Sequence, residues 1–91
     1  MAKRRHLKRD IAEVCTDLMA EVVAISLYDG ESNKENLLAI IAAILHIRRE
    51  FVERVSHVEP GMEAKAYFKD LKDSFNQQIQ EVIDHINNIH A

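Results

Sequence analysis

The sequence predicts an all-α protein, an antiparallel up-down-up three-helix bundle that assembles into a homodimer. Three observations predict it. Glycine and proline are scarce, with 2 Gly and 1 Pro in 91 residues, so the chain has few places to turn. Apolar residues recur at steps of three and four through three long segments. Two of those segments carry more apolar surface than one small core can use.

The first helix is expected from about residue 3 to 28. Leu7, Ile11, Val14, Leu18, Val22 and Ile25 form its stripe, at the spacing that places side chains on one helical face. Asp29-Gly30 should stop it, because glycine tolerates the positive φ of a helix C-cap. The second helix is expected from about 33 to 58. Ser32 and Glu35 have the spacing of a capping box, and Leu37, Ile40, Ile44, Ile47, Phe51, Val55 and Val58 form the stripe. Pro60 lacks an N–H and crowds the preceding turn, so this helix ends before it. The third helix is expected from about 62 to 89, with Ala64, Phe68, Leu71, Phe75, Ile79, Val82, Ile86 and Ile89 as its stripe. Short loops force neighbouring helices to run antiparallel, and residues 1–91 read as a single domain.

Composition excludes several classes. Cys15 is the only cysteine, so no internal disulfide framework exists and a reducing cytoplasm is the expected compartment. Lys8, Arg9, Asp10 and Glu13 interrupt any apolar region behind the basic start, so no secretory signal is read. The longest apolar run, Leu37 to Leu45, is 9 residues, well short of the roughly 20 that span a bilayer. No membrane partner is expected.

The surplus apolar surface points to association. Met19, Val23 and Leu27 lie off the first stripe, and Leu38, Ile41 and Leu45 lie off the second. Folding the first two helices about residue 31 brings both excesses to one end, where a third helix covers one side only. A patch of that kind is unusual on a monomer. These six residues are the expected interface of a two-fold homodimer.

Charge is uneven. Lys3, Arg4, Arg5, Lys8 and Arg9 give residues 1–9 a charge of +5, while residues 10–91 hold 7 basic and 15 acidic side chains, −8 in all. The basic start is a candidate contact for nucleic-acid phosphates. It has no Phe, Tyr or Trp to stack a base and adjoins an acidic body, so a solvated helix end is the preferred reading. His6–Asp10 and Arg9–Glu13 can pair there at i,i+4. Arg48 interrupts the second helix level with Val14. It either pairs with Asp17 or Glu13 and fixes register, or extends to water.

No enzymatic chemistry is legible. Three of the 5 histidines fall in i,i+4 pairs with glutamate, His46–Glu50, Glu53–His57 and Glu81–His85, but no Glu-x-x-His or His-Glu-x-x-His motif occurs. Surface ion pairs explain them better than a metal site. Cys15, beside Val14 and Leu18, reads as a small buried hydrophobe rather than a nucleophile. No catalytic residue, cofactor or metal is expected, and the protein reads as a non-enzymatic structural or interaction protein.

The stretches KRRHLKRDI from Lys3, VCTDLMAEVVAISLY from Val14, NKENLLAIIAAIL from Asn33 and SHVEPGMEAKAYFKDL from Ser56 resemble a family of small uncharacterised all-helical proteins of gut and oral anaerobic bacteria. That resemblance implies an intracellular, self-associating helical bundle. It implies no activity and no functional residues.

Overall fold

The computed structural model describes residues 2–29, 34–58 and 60–90, and the side chains of 4–28, 34–58 and 60–89. The protein is all-α, with α1 at Ala2–Asp29, α2 at Lys34–Ser56 and α3 at Ala64–His90. It is long and thin, 48 × 20 × 15 Å. The expected ends fall within two residues of the observed ones. Gly30, Ser32 and Asn33, expected to cap α1 and open α2, lie outside the described residues.

α2 is the central element. It packs extensively on α1 and on α3, whereas α1 and α3 touch sparingly. Its buried residues are Leu37, Ile40, Ile44, Ile47, Phe51 and Val55, the stripe expected of it as far as Val55. Phe51 is the largest fully buried side chain. Its ring meets that of Phe75 edge-on at 5.4 Å between centroids, a geometry that sets a positive ring edge against a negative face. Arg54 lays its guanidinium over the same Phe51 ring, 5.0 Å from the centroid, so the charge stays at the surface while the stem covers the core.

Two stripes differ from expectation. On α1 the buried set is Ile11, Cys15, Leu18, Val22 and Ile25, with Leu7 half-buried and Val14 at the surface. Cys15 takes the place expected for Val14, one residue away and about 100° around the helix. On α3, Tyr67 is buried, while Phe68 is half-buried and Ala64 exposed.

The reason lies at the end of α2. That helix stops at Ser56, before Val58, and its last carbonyls need donors. The Tyr67 hydroxyl lies 2.9 Å from the Arg54 carbonyl and 3.0 Å from the His57 carbonyl, both of which accept from it. A buried tyrosine requires such a partner. The chain then turns through Gly61, whose φ is +85°. An added Cβ there would meet nothing within 4 Å, so glycine serves the backbone conformation rather than a tight space.

Candidate functional site

α2 carries a second apolar row, one residue out of phase with the buried one. Leu38, Ile41, Leu45, Arg48 and Val52 follow at steps of 3, 4, 3 and 4, the spacing of a coiled-coil seam. On α1 the matching row is Ala12, Thr16, Met19 and Val23, with Leu27 one turn further. The six residues expected at an interface divide within these rows. Leu27 is 81 % exposed, Leu38 56 %, Val23 48 % and Leu45 47 %. Met19 and Ile41 are half-buried against the core, so the uncovered surface is smaller than the side-chain list implies. Their position in the crease between α1 and α2 explains it.

One end of this face is basic. A groove of about 610 Å³ is lined by Lys8, Arg9 and Ala12 of α1 and by Leu45, Arg48, Arg49, Val52 and Glu53 of α2. Its walls hold four cations, one carboxylate and an aliphatic floor. Sequence reasoning grouped Lys8 and Arg9 with Lys3, Arg4 and Arg5 and did not join them to Arg49. The structure divides that basic start. Arg4 stands over the Phe68 ring at 5.6 Å, beside a second cavity of about 280 Å³ lined by Arg4, His6, Leu7, Asp10, Phe68 and Lys72. Arg5 is exposed, and the Lys3 side chain lies outside the described residues.

Arg48 does not pair with Asp17 or Glu13. Among the described residues the ion pairs are His46–Glu50 at 3.5 Å and Lys69–Asp73 at 3.9 Å. Glu13, Asp17 and Arg48 are all exposed. Glu13 and Asp17 lie one helical step outside the α1 row and turn away from the crease in which Arg48 stands. Of the expected His–Glu pairs, His46–Glu50 forms, while Glu53–His57 and Glu81–His85 do not. The His6–Asp10 and Arg9–Glu13 pairs are likewise not made among the described residues.

Cys15 is fully buried. Burial pushes its thiol up from the ordinary value of 9.0, against a smaller downward pull from the Arg48 charge. A protonated, enclosed thiol is a poor nucleophile. Among the described residues no three His, Cys, Asp or Glu side chains are placed to hold a metal ion together, and no helix is long and apolar enough to cross a membrane.

Comparisons of the chain with protein-family models, with curated proteins and with solved structures gave no match.

Proposed function

We propose that this chain is an up-down-up three-helix unit that pairs with a second copy through the outer face of α1 and α2, and that it works as a non-enzymatic structural or interaction protein of the cytoplasm. Membership of the helical bacterial family that its sequence resembles belongs to the same proposal. The observation that carries the reading is the second 3-4 row on both helices, ending in exposed Leu27, Val23, Leu38 and Leu45. A four-helix core closed by two such faces satisfies both rows at once.

The topology has its own support. Lys8, Arg9 and Ala12 share a groove with residues 45–53, which sets the start of α1 beside the end of α2. Ala43, His46 and Ile47 share another with Gln78, Glu81, Val82 and His85. Arg4 to Asp10 share a groove with Phe68 and Lys72, and Leu7 to Val14 share one with Leu71 to Asn76. These levels fit α1 and α3 running together and α2 against them.

The test is solution mass by light scattering across a dilution series. A dimer at about twice 10.5 kDa, holding at high salt, is the expected result; a monomer at all concentrations refutes it. A second reading draws on the joining of Lys8 and Arg9 to Arg48 and Arg49, which makes a broader phosphate-binding surface than the helix start alone. In that reading the chain binds nucleic acid, and its complex weakens steeply with added salt, whereas apolar pairing does not.

A further inference from the structure

The outer face has charged flanks of opposite sign on its two helices. Glu13 follows Ala12 of the α1 row by one residue, and Arg49 follows Arg48 of the α2 row by one residue. Each therefore stands about 100° around its helix from a seam position. These are the places from which charged side chains reach a facing helix in a coiled coil. Both are exposed, and neither is in an ion pair among the described residues. They are also level, because Arg49 lines the same groove as Arg9 and Ala12. Four residues on, the signs exchange. Glu53 lies one turn after Arg49, and Arg9 lies one turn before Glu13, again at matching levels.

We propose that the two copies pair about a two-fold axis running along the helices, so that α1 of one copy lies against α2 of the other. Arg49 then faces Glu13 of the second copy, and Glu53 faces its Arg9. The inference rests on the self-association reading above and adds its geometry. In this arrangement every helix of the four-helix core has antiparallel neighbours, and Arg49 and Arg9 each meet a carboxylate, while Lys8 and Arg48 of both copies come to the same end. An axis running across the helices sets α1 against α1 instead. Glu13 would then face a later stretch of the same helix, and from Asp10 to Asp29 α1 has no Lys or Arg. Half of the charges would be left without partners in a closing interface, where unpaired charge is costly.

The experiment is charge reversal, read as a dissociation constant by sedimentation at low salt, with circular dichroism confirming helix content. Glu13 and Arg49 are exposed, so Glu13→Arg and Arg49→Glu should fold. Each single reversal should weaken pairing by about tenfold or more, since close charge pairs across interfaces are coupled by a kcal/mol or more. The double variant should return to within about threefold of the parent. At about 1 M salt, where the Debye length is about 3 Å, the single-variant penalty should shrink.

Single reversals without effect overturn the charge pairing while leaving the apolar dimer in place. So does a double variant as weak as either single. Rescue of Arg49→Glu by Glu35→Arg, rather than by Glu13→Arg, places the axis across the helices and overturns the lengthwise arrangement. A parent chain that is monomeric throughout removes both readings together.

Discussion

The two faces of α2 use nearly the same side chains and meet different fates. Leu37, Ile40, Ile44, Ile47, Phe51 and Val55 are shut between α1 and α3. Leu38, Ile41, Leu45 and Val52 lie one residue along and face out or sit in the crease with α1. Apolar content therefore does not distinguish core from surface on this helix. Two other things do. The inner row holds the aromatic ring that locks on Phe75, and the outer row is interrupted by Arg48. A row that stays open to solvent accommodates a charge. A row that is closed during folding does not need to.

The comparison breaks most severely at Phe51. Phe51→Ala removes a fully buried ring and its edge contact with Phe75, and should cost about 3–5 kcal/mol, much of the stability of a domain this small. Urea unfolding measures it, and a cost under about 1 kcal/mol would show that the site is not the packed centre described above.

Adjacent residues sharpen the contrast. Ile44→Ala should cost about 2–5 kcal/mol at any protein concentration. If the proposed pairing holds, Leu45→Ala should cost less than about 1 kcal/mol at high dilution and more as concentration rises, since association adds stability by mass action. Equal, concentration-independent losses at both positions would mean that the outer row is already covered within one chain.

Tyr67→Phe tests the seam between α2 and α3. Losing the hydroxyl leaves the carbonyls of Arg54 and His57 without that donor, at a cost of about 1–2 kcal/mol. Exchange of the amide hydrogens in the last turn of α2 should speed up more than exchange at its centre.

The smallest effect concerns pH. Burial raises the Cys15 thiol above its ordinary 9.0, so the folded state holds that proton more tightly than the unfolded state. Its contribution is fully present below the ordinary value and is lost as pH rises through it toward the raised one. Unfolding followed from pH 7 to 11 should show an alkaline fall in stability that is shallower in Cys15→Ala. An unchanged slope would show that the thiol is not the group responsible.

How much of this was legible beforehand follows from what periodicity can see. Spacing alone identifies the α2 stripe, because its positions are large, apolar and bounded by Pro60. On α1 the neighbours Val14 and Cys15 both qualify, and steps of three or four residues fit either. The rotation of α1 in the packed structure buries Cys15 and leaves Val14 at the surface. The burial of Tyr67 is not legible in the stripe, because its acceptors are carbonyls 10 and 13 residues away. The exposed Val23, Leu27, Leu38 and Leu45 were readable as surplus. The depth of Met19 and Ile41 was not, since it depends on how closely two helices approach. The joining of Lys8 and Arg9 to Arg48 and Arg49 depends on the register between helices, which no single segment encodes.

Gly61 has a further consequence, one of handedness. Its φ of +85° is disfavoured for an L residue, yet the space beside it is open. A D-residue has the opposite preference and adopts positive φ without strain. D-alanine placed at position 61 by chemical synthesis should therefore fit the native turn while narrowing the freedom of the unfolded chain, a gain of about 0.4–1 kcal/mol by analogy with compatible Gly→Ala replacements. L-alanine at the same position should lose stability. The turn between α2 and α3 thus reads the chirality of a single methyl group, and the pair of isomers would measure backbone preference there with side-chain packing held aside.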